Sequence, residues 1–299
     1  MISFVDLMEG RSFGSIDEAD QDKFWFSEQW ILEPVYEGVR FQCMVDTSGD
    51  IRFHGKRKSY KHQGKLNALT SVMKSLENCK FPDETLLEGY LTFNNDKTES
   101  YRFLKLEQPD QQLIDNSCFY ITDIIYYARE DVFNLPLFDR KTIVNKIVKE
   151  TVSLKIQQWF DKDKRNIFEK FKKEQVKVFL FKDLASRYKF KQTVTCRVYR
   201  VPKQYFMIIM GFIENTEKEE LKNMVVALEG GQLKNGQLTK IMNIPVHSND
   251  SRIMLYNNKN NLMRKIFEIL ASEKTDNGKY QEARFVGIRD DKILEDCVF

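Results

Sequence analysis

Cations set among aromatic rings are the residues of this sequence whose types and spacing best suit chemistry. Arg187-Tyr188-Lys189-Phe190-Lys191 alternates charge with rings, and Lys56, Arg57, Lys58, Lys61 and Lys65 crowd one short stretch. Ammonium and guanidinium groups neutralise phosphates, so both segments suit contact with a polynucleotide backbone; a solvated charged face is the plainer reading of each alone. Metal chemistry is poorly served. The 3 histidines, His54, His62 and His247, share no ligand spacing, and the 5 cysteines, Cys43, Cys79, Cys118, Cys196 and Cys297, form no C-x-x-C pair. An odd, scattered set of thiols argues against a disulfide framework and for a reducing, intracellular compartment, cytoplasm or nucleus.

The elements that must position these residues are mostly strands. Net charge is only +3 and says little about partners, while 42% hydrophobic and 30% charged residues describe a globular chain with ample material for a core. No apolar run approaches the ~20 residues of a membrane span, and the N-terminal residues lack the order of a secretory signal. The segment up to Trp30 reads as one or two short helices. Strands follow at Trp30–Pro34, Val39–Val45 and Ile51–Phe53, the last two joined by a turn at Thr47-Ser48-Gly49-Asp50. Leu66, Leu69, Val72, Met73 and Leu76 recur at helical spacing. Further strands are expected at 85–93, 118–127, 176–182 and 189–201, with helices at 138–150 and 162–174. Beyond them come short strands with turns at Gly230-Gly231 and Asn235-Gly236, interrupted by a helix at 258–272. Five or so strands and a helix suit an OB-fold barrel.

In this order the segments bring out a family. Glu33-Pro34-Val35-Tyr36-Glu37-Gly38-Val39-Arg40 resembles the E-P-K-Y-D-G-x-R motif of DNA ligases. Leu87-Glu88-Gly89-Tyr90-Leu91 resembles L-D-G-E-L, and Phe119 to Ile124 resembles the aromatic strand beneath the nucleotide base. Lys177 to Lys182 stands at E-G-x-x-x-K, Tyr188 to Lys191 is similar to the W-x-K-x-K strand, and Arg289-Asp290-Asp291-Lys292 resembles R-x-D-K. Together these resemble the covalent nucleotidyltransferases: ATP-dependent DNA ligases, RNA ligases and mRNA capping enzymes. The resemblance runs nearly the full length and leans to the DNA ligase branch.

It implies an α+β chain: a ligase-type nucleotidyltransferase domain at 1–192, with antiparallel sheets and flanking helices, then an OB-fold at 193–299. It also implies a lysyl-AMP, formed when the first-motif lysine attacks ATP. Here that position is Val35, which has no lone pair. The neighbouring departures are Glu37 for aspartate, Tyr90 for the L-D-G-E glutamate and Lys177 for the E-G-x-x-x-K glutamate; a lysine there repels Mg²⁺, which takes oxygen ligands. The positions left to bind nucleotide or backbone phosphates are Arg40, Lys182, Lys189, Lys191, Arg289 and Lys292, with Lys56, Arg57 and Lys58 as nucleic-acid contacts. Gly38 and Gly89 are expected in tight turns.

Three readings stay open on the sequence. The first is a DNA ligase-like protein that binds DNA or RNA, as nicked or ended duplex, without self-adenylylation. It requires no cofactor, though the cleft retains room for ATP with Mg²⁺ held without a covalent bond. The second is an active ligase or capping-type enzyme using a displaced lysine, Lys56 or Lys58. The third is a scaffold that docks a protein partner of a replication, repair or RNA-processing complex through Phe24, Trp25, Phe26 and Trp30.

Overall fold

Runs rich in Val, Ile, Phe and Tyr, broken by polar turns, make strands the dominant element of the computed structural model, which describes residues 3–13, 18–55, 66–94, 96–106, 110–214, 221–275 and 277–298. The strands are β1 Glu9–Ser12, β2 Trp30–Val35, β3 Val39–Val45, β4 Ile51–Gly55, β5 Thr85–Phe93, β6 Ser117–Tyr126, β7 Leu154–Ile156, β8 Val178–Asp183, β9 Gln192–Arg200, β10 Lys203–Glu214, β11 Val225–Lys234, β12 Gln237–Pro245, β13 Ile266–Ala271, β14 Glu273–Lys274, β15 Tyr280–Gln281 and β16 Arg284–Ile288. Two compact units result, Met1–Arg200 and Val201–Phe299. The boundary falls eight residues beyond the sequence expectation, since β9 belongs to the first unit, where Cys196–Arg200 pairs with β8.

The first unit holds two sheets, ordered β1-β9-β8-β2 and β4-β3-β5-β6-β7. They are mixed rather than wholly antiparallel: β1 runs parallel to β9 and β7 parallel to β6. The α+β expectation otherwise holds. The helix Thr70–Cys79 buries Val72, Leu76 and Cys79 in the larger core. An aromatic cluster of Phe13, Phe24, Trp25, Phe168 and Phe181 packs on the other sheet. That cluster takes up the aromatics read as a docking face, since Phe24 is buried against Trp30 and only Phe26 of the four stands exposed. Ahead of the helix Glu18–Phe26 the N-terminal segment is a strand, not a second helix; its backbone joins the edge of a sheet and so satisfies its hydrogen-bonding groups there.

The second unit is a five-stranded antiparallel sheet ordered β12-β11-β10-β13-β16, beside the short β14-β15 pair. Asn235 and Gly236 turn as expected with positive φ, but Gly230 and Gly231 lie inside β11 at a register shift. The helix expected at 258–272 ends early. Helices span Asn249–Asn257 and Lys259–Leu262, and the apolar run Ile266–Ala271 becomes a strand between β10 and β16. A short apolar run fits either a buried strand or a helix, and burial inside a sheet decides. Among the described residues no helix is long and apolar enough to cross a membrane.

Candidate functional site

Alternation along strands decides which side chains of the first unit meet. Val35 ends β2, Arg40 lies on β3, and Glu88 and Tyr90 stand two apart on β5. Val178, Leu180 and Lys182 share one face of β8, as do Cys196, Val198 and Arg200 on β9. These residues, with Thr122 of β6 and Met8, Glu9 and Gly10 ahead of and within β1, line one cleft of about 370 Å³. Gly38 lies in the bend between β2 and β3, whereas Gly89 lies inside β5 and not in a turn. Each lies where strands close in: a Cβ on Gly38 would strike the Leu91 carbonyl, and one on Gly89 the Tyr120 carbonyl.

Within and beneath the lining lies a set of charges, each with its partner. Glu33 on β2 receives Lys141 at 2.5 Å and Lys182 at 2.8 Å. Burial pushes the Glu33 carboxyl up, but the two lysines more than offset it and hold the group below its ordinary value. Burial lowers Lys141 below the usual lysine range, whereas Lys182 is held above it by Glu33 despite burial. Beside them Arg140 grips Asp123 in a two-pronged pair of 2.8 and 3.0 Å and donates to the carbonyls of Leu135 and Ser186. Burial raises the Asp123 carboxyl, and Arg140 more than reverses this. A third group closes the N-terminal end. Arg40 donates to Glu88 at 2.8 Å and to the Met8 carbonyl at 2.6 Å, Tyr188 donates its hydroxyl to Glu88, and the Met8 amide donates to that hydroxyl at 2.9 Å. Met8 itself is buried among Leu86, Ile125, Tyr188 and Cys196, and with Glu9 and Gly10 it lines one part of the cleft.

The structure brings together several of the sequence-derived positions and separates others. Val35, Tyr90, Arg40 and Lys182 share the cleft. Glu37 and Lys177 meet at its edge as an ion pair of 2.9 Å. Lys189 and Lys191 do not reach the cleft. Both are exposed ahead of β9, and Lys191 lines a separate hollow with Gln42 and His54. The strand facing the cleft there is Gln192–Arg200, and it presents Cys196 and Val198 instead of two lysines. Burial pushes the Cys196 thiol up to about 11, which keeps it protonated and a weak nucleophile at neutral pH. Lys56, Arg57 and Lys58 lie outside the described residues. In the second unit Arg289 is taken up by Glu268 and Asp291, and Lys292 stands over the Phe206 ring at 4.8 Å. Sequence reading missed Glu33, Glu88, Lys141 and Tyr188 as members of the site. The signal was there: an acid inside an apolar strand, as in Leu32-Glu33-Pro34 or Leu87-Glu88-Gly89, is buried only with a partner.

A magnesium ion does not fit this donor set. The lining holds two carboxylates, Glu9 and Glu88, and the buried one, Glu88, already accepts from Arg40 and Tyr188. Among the described residues no group of three or more His, Cys, Asp or Glu stands close enough to hold a metal.

The fold has solved counterparts. A family model described as the ATP dependent DNA ligase domain matches residues 16–193. The ligase domain of LigD from M. tuberculosis is 15% identical over 99% of this chain and 98% of that one, with a TM-score of 0.52. A mycobacterial DNA ligase D complexed with ATP and MES is 14% identical over 98% of each chain, with a TM-score of 0.55. A Lig E DNA ligase, solved for DNA binding with a minimal scaffold, is 10% identical over 96% of this chain and all of its own, with a TM-score of 0.50. Identities this low speak for a shared fold alone. No curated protein sequence matches the chain.

Proposed function

Taking as premise that this chain belongs to the ATP-dependent DNA ligase domain family, we propose that it binds nucleic acid at nicks or ends without forming a covalent nucleotide adduct. The observation that carries this reading is the lining of the cleft: Val35, at the position the motif gives to the nucleophile, shares it with Val178, Cys196 and Val198. Among the described residues of the lining Lys182 is the one lysine, and Glu33 keeps it charged and without a free lone pair; the displaced-lysine candidates Lys56 and Lys58 lie outside the described residues. The ion pair of Lys177 with Glu37 replaces the acidic character that a metal needs with a neutral pair.

Phosphate contact falls in this reading to exposed cations. The helix Lys164–Lys173 displays Lys170, Lys172 and Lys173, with Lys189 and Lys191 further along the chain. Lys56, Arg57 and Lys58 belong to the same set by sequence. The second unit is read as an OB-fold, supported by its strand order β12-β11-β10-β13-β16 with helices between the third and fourth strands in sequence. Its cations Arg289 and Lys292 then serve the polynucleotide as well.

Fluorescence anisotropy with nicked duplex DNA and with RNA tests the reading. Affinity is expected to fall by at least about tenfold between roughly 50 and 200 mM salt, as three or more phosphate contacts require. Binding that ignores salt, or none to either polymer at low salt, would sink it.

A further inference from the structure

Val35 of β2 and Val178 of β8 are register partners, and the first charged residues beyond them are Glu37 and Lys177. Glu37 sits in the bend ahead of β3 and Lys177 just ahead of β8, so their 2.9 Å ion pair lies at the end of the cleft where Val35 stands. The Lys177 side chain is 53% exposed and that of Glu37 24%. An ammonium carries three N–H donors. One goes to Glu37, and the exposure of Lys177 leaves the others open to an oxygen arriving from solvent.

Mg²⁺ is held through one or two carboxylates together with phosphate oxygens, so it draws a polyphosphate into an acidic site that would repel the bare anion. Here the balance of charge is inverted. The lining carries Arg40, Lys182 and Arg200 against Glu9 and Glu88, and Glu88 already accepts from Arg40 and Tyr188. Positive charge predominates without any metal, and such a cleft concentrates anions by its own field. We infer that Lys177 is a tethered cation in place of a divalent ion: it neutralises Glu37 and offers its other N–H groups to a phosphate, so the cleft binds phosphate anions without metal. The ligand class is a bare polyphosphate or the terminal phosphate of a strand, which share this chemistry. The inference goes beyond the nucleic-acid-binding reading and does not require it, since inorganic tripolyphosphate is no polynucleotide.

The test is calorimetric titration of the full chain with inorganic tripolyphosphate, in EDTA and again with Mg²⁺. Wild-type affinity in EDTA is expected to match or exceed that in Mg²⁺. Lys177→Glu sets a second carboxylate beside Glu37 and is expected to weaken binding in EDTA by at least about tenfold, and Mg²⁺ then restores it. The same variant gains a Mn²⁺ site, read by electron paramagnetic resonance, that the wild type lacks. Lys177→Met, which removes the charge alone, weakens binding several-fold and stays indifferent to metal. Lys177 is exposed, so neither substitution puts folding at issue. A 5′-phosphorylated strand and its unphosphorylated twin, titrated in EDTA, separate the sources: several-fold tighter binding of the phosphorylated strand assigns the terminal phosphate, and binding of tripolyphosphate alone assigns the free anion. Wild-type binding that needs Mg²⁺, a Lys177→Glu variant that binds as well as the wild type in EDTA, or no binding of either phosphate probe overturns the inference. Metal-free tripolyphosphate binding beside a failed duplex titration sinks the nucleic-acid reading and leaves this one standing.

Discussion

The floor of the cleft and its rim lie a few residues apart on the same strands, yet their side chains are held in opposite ways. On β2, Glu33 is buried between Lys141 and Lys182, while Val35, two residues on, offers the cleft only methyl groups. On β8, Lys182 is buried and paired, while Lys177, just before the strand, stands mostly exposed against Glu37. The floor holds two sheets together with matched charges that the interior tolerates only as a complete set. The rim is where a nucleotide would react, and its side chains are apolar or already neutralised. On the proposed reading, fold and chemistry rest on different residues.

The contrast is sharpest where a floor charge is removed. Asp123→Ala leaves Arg140 buried without its partner and is expected to destabilise the chain by about 3–5 kcal/mol, read from urea denaturation midpoints. A loss under about 1 kcal/mol would mean that the floor does not bind the sheets. Acid should act on the same groups. Glu33 and Asp123 are both held below their ordinary values, their burial outweighed by the neighbouring cations. Their stabilisation is therefore present in full above the unfolded carboxylate values of about 4 and is lost as pH falls through the folded ones. Melting temperature is expected to hold from about pH 7 to 5 and drop below about 4, less steeply in Asp123→Asn. Tyr188→Phe removes the hydroxyl joining Glu88 to the Met8 amide and should cost about 1.5–3 kcal/mol in the same urea assay. At the rim, Lys177→Ala breaks an ion pair that solvent screens and should change stability by less than about 1 kcal/mol. Equal losses from Asp123→Ala and Lys177→Ala would erase the distinction between floor and rim.

The sequence made the rim legible and hid the floor. Val35, Glu37, Tyr90 and Lys177 stand out because they interrupt a motif whose order is recognisable residue by residue. Most strands of the first unit were readable too, from the alternation in segments such as 39–45 and 85–93. The floor was not, because Lys141 and Glu33 are far apart in the chain and pair only once β2, β8 and the helix Leu137–Ile147 are assembled. The strand β9 starts three residues later than expected for a related reason. Tyr188-Lys189-Phe190-Lys191 has the look of a strand, but Tyr188 is already committed to Glu88 and pairing with β8 begins only further on. The segment 266–271 was misjudged because an apolar run of six residues has no period to distinguish strand from helix.

Intact-mass spectrometry after incubation with ATP or GTP and Mg²⁺ or Mn²⁺ tests the separation of fold from chemistry most directly. The arrangement of Val35, Lys182 and Lys177 predicts an unchanged mass. A gain of one nucleotide monophosphate would contradict it, and peptide mapping would then name the lysine that had taken over the attack.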